Sequence, residues 1–302
     1  MSADSSQAEV FARVDFPLYS IAMVSPRHVL VAGGGGSANT GVKNGYEIFE
    51  VTTDGETVRG ETVSRHFTGE FSIYSLAVRG ATSNNNLPHS VILAAGHNQY
   101  CQLYRLSLHT EKQGVSQESS LTNRRSNGVP AGSGVQEHFS SPPVYRVEQL
   151  RKVQIDYNKT EPYGKVVRVS LNGKFLAAGG DDGHLRVFSF PDLDSVHDFA
   201  THDKEIDDID FSPDSSKICS ISKDKRAIVW DVKKGKKHAE LGWDSPNNVK
   251  YLYKRVKFGC VEGDIKKYKV YTISNPIGSS KAPSFLHRWN TQSYTVEQAV
   301  ST

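Results

Sequence analysis

Hydrophobic positions along the chain come in short runs rich in Val, Ile, Phe and Tyr, separated by Gly, Asp, Asn and Ser. Helical spacing of three and four is scarce, so the pattern predicts strands joined by tight turns. The runs recur in a fixed order. An alternating strand is followed by a polar turn, an apolar strand ending in small residues, a Gly/Asp turn and a third strand. EIDDIDF, SKICSIS and RAIVWDV form one such set, and PYGKVVRVSLNGKFLAAGGDDGHLRVFSF, directly upstream, is another. FSIYSLAV with HSVILAAGHNQYCQLYRLSL repeats the layout, as does PLYSIAMVSPRHVLVAGGGG with NGYEIFEV. The fifth copy, YKRVKF, KVYTIS and FLHRWNTQSYTV, is more degenerate.

A period near 40 residues with Trp230-Asp231 closing a third strand is the signature of WD40 propeller blades. The fold class is therefore all-β, a propeller of four-stranded antiparallel blades over residues 1–302. His202 and Asp224 stand where such blades place a His and an Asp that tie strands together. The expected blades cover 17–51, 71–108, 162–193, 204–236 and 251–296. At ~43 residues per blade the length suits roughly seven blades, yet about five are visible. Part of the difference is a segment at 109–143, dense in Ser, Gly, Asn, Gln and Pro. It has too little apolar surface to offset its ordering entropy and is expected to be a disordered insertion between the second and third blades.

Composition narrows the function classes. Lys and Arg number 36 against 33 Asp and Glu, a net charge of +3 that does not imply nucleic-acid binding. Three well-separated cysteines, Cys101, Cys219 and Cys260, argue for a reducing compartment and against disulfides or a thiolate metal site. No apolar run approaches the ~20 residues needed to span a bilayer, and MSADSSQAEV lacks the features of a signal peptide.

The first copy departs from the others after its second strand. Where Asp181-Asp182-Gly183 makes an ordinary turn, the chain here runs GGGGSANTGVKN from Gly33 to Asn44. A dinucleotide fingerprint fails because a strand rather than a helix follows, and a P-loop fails on the placement of Lys43 and the missing helix. Two readings remain: a plain surface loop, or a loop whose carbonyls surround a hard cation as oxygen-only sites do. In the second reading Gly36, Ser37, Asn39 and Gly41 supply oxygens, and Val42, Lys43 and Asn44 are held outward as a probe. His28, His66, His97 and His184 show no triad spacing. Asp181, Asp182, Asp207, Asp208 and Asp210 read as turn and blade-surface groups. Lys233, Lys234, Lys236 and Lys237 read as a solvated basic turn, with a phosphate-surface role as the lesser alternative.

PLYSIAMV, LVAGGGGSANTGVKNGYEIFEV, LAAGHNQYCQLYRL and KFLAAGGDDGHLRVF together resemble the prolactin regulatory element-binding protein family and its yeast and plant counterparts. These are endoplasmic-reticulum membrane exchange factors for the Sar small GTPase of COPII coat assembly. The resemblance implies a seven-bladed propeller whose first-blade loop binds potassium and contacts the GTPase through Val42, Lys43 and Asn44. It makes Asn44 the residue critical for exchange. Val42 stands where the family more often has Ile. The resemblance further implies two more blades and a transmembrane anchor, absent here, so the chain is expected to be C-terminally incomplete and, alone, cytosolic. Such a factor makes and breaks no bonds. A generic WD40 interaction scaffold is the alternative, and DNA binding a third class disfavoured by charge and by the lack of a groove-reading helix.

Overall fold

The computed structural model describes residues 10–37, 41–81, 90–109, 144–246, 249–278 and 281–301. Among these are twenty strands in five four-stranded antiparallel sheets. The first holds β1 (Leu18–Ser25), β2 (His28–Gly33), β3 (Gly45–Thr53) and β4 (Val58–Phe67). The second holds β5 (Ser75–Ala81), β6 (Ser90–His97), β7 (Tyr100–His109) and β8 (Val144–Gln154). The third holds β9 (Gly164–Val169), β10 (Phe175–Gly180), β11 (His184–Ser189) and β12 (Ser195–Ala200). The fourth holds β13 (Ile206–Phe211), β14 (Lys217–Ser222), β15 (Ala227–Asp231) and β16 (Lys236–Leu241). The fifth holds β17 (Tyr251–Val261), β18 (Asp264–Pro276), β19 (Phe285–Trp289) and β20 (Val296–Ser301). Each sheet is a meander in sequence order, and its fourth strand carries it past the last strand of the sequence motif. This is the WD40 β-propeller architecture.

Sheets stack in sequence order through their first strands: β1 on β5, β5 on β9, β9 on β13, β13 on β17. The second strands explain why parts of the sequence read as unbroken apolar runs. In β10, Leu176 and Ala178 enter the seam with the second sheet, while Ala177 points the other way into the seam with the fourth. In β6, Leu93 and Ala95 face the first sheet and Ala94 the third. A strand buried on both faces loses its alternation, and alanine lets neighbouring sheets approach. The outward faces of the two end sheets are different. Ile21 is 69% exposed and Met23 55% on β1, and Ile273 and Leu286 are each 42% exposed on the fifth sheet.

Polar side chains on the first strands close the seams. Ser75 Oγ accepts the Val167 amide at 3.0 Å across the second seam. Asp208 accepts the Val256 amide at 3.2 Å, and Asp210 accepts the Phe258 amide at 2.8 Å, so two carboxylates of β13 complete the hydrogen bonding of β17. Asp208 is only 2% exposed and also pairs with Arg168 at 2.8 Å. The expectation that Asp208 and Asp210 are surface groups is therefore corrected; they satisfy amides that the seam would otherwise strand.

The insertion is also displaced from its expected place. His109 pairs with Val144 in register, so the segment joins the third and fourth strands of the second sheet rather than the second and third blades. Residues 110–143 themselves lie outside the described residues. Meander topology sorts the connections onto two faces. Turns between first and second, and between third and fourth, strands share one face. Those between second and third strands, and between sheets, share the other. No helix among the described residues is long and apolar enough to cross a membrane.

Candidate functional site

The glycine-rich segment joins β2 to β3 and therefore lies on the face that also carries the connections between sheets. Its base is pinned by backbone bonds. Gly34 N donates to Pro17 O at 3.1 Å, and Thr68 N donates to Asn44 O at 3.0 Å. At Gly34, with φ +137°, a Cβ would come within 2.2 Å of Asn44 Oδ1, so a side chain has no room there.

Asn44 organises the segment. Its Oδ1 accepts the Gly36 amide at 2.8 Å and the Ser72 hydroxyl at 2.8 Å. Its Nδ2 donates to Gly36 O at 3.0 Å and to Gly69 O at 2.9 Å. All four hydrogen-bonding positions of the amide are used. The residue is 5% exposed. The expectation of an outward Asn44 at the loop tip is thus corrected: the side chain points inward and binds the start of the loop to the Gly69–Ser72 stretch leading into the second sheet. Lys43 remains exposed, its ammonium 4.5 Å above the Phe67 ring. Val42 is half-buried.

Gly36, Ser37, Gly41, Val42 and Asn44, with Gly69 and Glu70, line a cavity of about 540 Å³. The donors offered by Gly36, Ser37, Gly41 and Glu70 are oxygens, the chemistry of a hard cation site. Gly36 O keeps a second lone pair beyond its bond to Asn44. Asn39 lies outside the described residues. Below the loop, His97 is 6% exposed against the Phe71–Ser72 backbone, and burial drives its pKa down to about 4, so it is neutral at physiological pH.

Beside the loop a row of tyrosines crosses the inner ends of three sheets. Tyr19 and Tyr74 have ring centroids 5.3 Å apart, and Tyr74 and Tyr163 4.6 Å. They border a cavity of about 610 Å³ together with Lys165, Asp207 and Lys223. Lys165 lies 3.3–3.4 Å from Asp181, Glu205 and Asp207. Burial would raise the Glu205 carboxyl, but pairing with Lys223 and Lys165 overrides it and holds the group at about 2.

The blade residues form a separate, structural site. His202 Nδ1 lies 2.9 Å from Asp224, and its Nε2 lies 2.8 Å from Ser220 Oγ, to which Trp230 Nε1 donates at 3.1 Å. Asp231 is not part of this chain of bonds; it pairs with Lys217 at 3.2 Å and accepts the Lys234 amide at 2.8 Å. Sequence reasoning missed Ser220, whose signal was a hydroxyl at an inward position of SKICSIS. It also missed Ser72 and Gly69, which lie far from Asn44 in sequence. Two histidines have partners that spacing did not reveal: His28 Nδ1 is 2.7 Å from Ser25 Oγ, and His184 Nδ1 is 2.7 Å from Asp198.

The WD domain, G-beta repeat, matches residues 163–189 and 193–231. The chain is 30% identical over 295 residues to the guanine nucleotide-exchange factor SEC12 of Mus musculus, covering 93% of this chain and 67% of that protein. The chain belongs to the SEC12 family. The SEC12 of Rattus norvegicus matches at the same 30% over 295 residues. SEC12-like protein 1 of Arabidopsis thaliana is 34% identical over 118 residues, covering 36% of this chain and 29% of its own. Among solved structures, Sqt1 from Chaetomium thermophilum aligns with a TM-score of 0.55 at 13% identity, over 95% of this chain and 61% of that one. A chain of the COPII outer coat vertex on membranes aligns at 0.58 and 15%, over 91% of this chain and 61% of its own. At such identities these two show the fold alone. This SEC12-family chain thus spans about two thirds of the length of the mouse and rat SEC12 proteins.

Proposed function

We propose that the chain is the propeller of a guanine-nucleotide exchange factor that promotes GDP release from a Sar-type small GTPase. Its place would be the cytosolic face of the endoplasmic reticulum membrane, at the start of COPII coat assembly. Family membership supports exchange activity, and the observation that carries the reading to a site is the internally braced loop from Gly34 to Asn44. An exchange factor accelerates release by stabilising the nucleotide-free GTPase; by linkage, nucleotide and factor weaken each other's binding by the same factor. No bond is made or broken in the chain.

In this reading Val42 and the exposed side of Phe67 offer apolar contact, and Lys43 steers encounter. Asn44 is a positioning residue: it fixes the loop that presents Val42 and Lys43. Gly36, Ser37 and Gly41, with Asn39 completing the loop, are the residues that would hold potassium. Such an ion would supply positive charge to the oxygens of these residues and would stiffen the loop. Replacing potassium by choline is then expected to slow exchange and also lower the melting temperature of the isolated chain.

The test follows release of a fluorescent GDP analogue from a Sar-type GTPase. The chain is expected to accelerate it, and Asn44→Ala to reduce that acceleration at least tenfold while the β-sheet circular dichroism signal is retained. An Asn44→Ala chain that exchanges at the parental rate defeats the site. Binding of the GTPase without any acceleration favours the scaffold alternative.

A further inference from the structure

We propose that the face opposite the glycine-rich loop carries a docking surface for an anionic phospholipid membrane, built from two neighbouring hairpins of the fourth and fifth sheets. The β15–β16 turn joins a third to a fourth strand, and the β17–β18 turn a first to a second, so meander topology puts both on one face, away from the loop. The two are contiguous. His238 of β16 meets Tyr294 of the β19–β20 connection with ring centroids 5.3 Å apart. Thr291 of that connection donates to Tyr268 O, in the β17–β18 hairpin, at 2.9 Å.

On this rim Lys233, Lys234, Lys236, Lys266 and Lys267 are exposed, and none makes an ion pair among the described residues. The carboxylates nearby are largely engaged. Asp231 is held by Lys217, Glu240 by Arg226 and Lys237, and Glu297 by Lys269 and Arg288. Asp264 accepts the Lys266 amide at 2.9 Å, which leaves Glu262 as the exposed acid at the tip. Lys266, Lys267 and Lys269, together with Tyr268, Asn290 and Gln292, border an open cavity of about 480 Å³. At the same tip Ile265 is 49% exposed. Unpaired lysines alone suit any polyanion. An apolar side chain projecting among them suits a surface with charged headgroups above hydrocarbon, and this selects the membrane over nucleic acid. β17 and β18, with 11 and 13 residues against six each in β13 and β14, carry this tip farther along the strand direction than the corresponding hairpin of the fourth sheet.

The experiment is vesicle co-sedimentation of the whole chain, with vesicles of phosphatidylcholine alone or containing one third phosphatidylserine. Binding is expected only to the acidic vesicles and weakens with salt. Each lysine near such a surface contributes a factor of about five. The quadruple variant K233Q/K234Q/K266Q/K267Q is therefore expected to bind at least 100-fold more weakly with an unchanged melting temperature. Ile265→Asp, with all lysines kept, is expected to lose about tenfold. Failure to bind acidic vesicles overturns the proposal, as does a quadruple variant that binds like the parent. Displacement by millimolar inorganic phosphate reduces the site to a free-anion pocket and overturns the membrane reading. So does a quadruple variant that loses binding to single-stranded RNA while keeping vesicle binding.

Discussion

At the scale of single residues, the chemistry rests on side chains whose partners lie far away in sequence. Asn44 illustrates this. Replacing it by Ala strands the Ser72 hydroxyl and leaves the Gly36 amide with Ser72 Oγ alone, at 2.7 Å, whereas replacing it by Asp keeps the acceptor but sets a carboxylate against Gly36 O and Gly69 O, 3.0 and 2.9 Å from its present amide nitrogen. Asn44→Asp is thus expected to loosen the loop more than Asn44→Ala, which costs about 1–3 kcal/mol; amide hydrogen exchange at Gly36 measures the difference. Ser220 is the second case. It links His202 to Trp230, and Ser220→Ala leaves the buried Trp230 N–H without its acceptor and the His202 Nε2 lone pair without its donor. A loss of about 2 kcal/mol in urea unfolding is expected. The Trp-Asp dipeptide and the His were legible because they stand at fixed positions in a repeat. A serine among apolar residues, or an asparagine after a glycine run, carries no mark of which distant group it will meet, and so Asn44 was read as outward.

At the scale of elements, periodicity revealed the strands but not always which strands share a sheet. Three strands of each blade were visible as a motif. The fourth was not, because strands such as SVHDFA and KKHAEL are outermost, mostly exposed, and free of strong apolar constraint. That gap explains the place expected for the insertion: without β8 in view, the pattern sets 109–143 between two blades. Because His109 and Val144 are paired in register, the segment leaves and returns at one point of the sheet. Replacing residues 110–143 by a two-residue Asn-Gly turn is therefore expected to keep the propeller intact. Calorimetry should show a melting temperature within a few degrees of the parent; loss of the transition would mean that the insertion packs on the blades.

At the scale of the whole molecule, five sheets share seams rather than one central core, and polar groups are buried within those seams. His97 and His287 are 6% and 0% exposed, and burial holds both near a pKa of about 4, below the 6.5 of an accessible histidine. Between those values the unfolded chain binds more protons than the folded one, so stability falls as pH drops from about 6.5 toward 4. The slope is about 1.4 kcal/mol per pH unit for each histidine. Denaturant midpoints at pH 7 and pH 5 are expected to differ accordingly, and His97→Gln should flatten the dependence by its share. The same burial of polar groups governs the face that carries the glycine-rich segment. Since the amide of Asn44 is saturated within the chain, Gly36 and the Gly69–Ser72 stretch are tied to it by folding and not by docking. In the proposed exchange reaction an arriving GTPase would meet a base already set by these bonds, and capture would follow collision without that base having to rearrange.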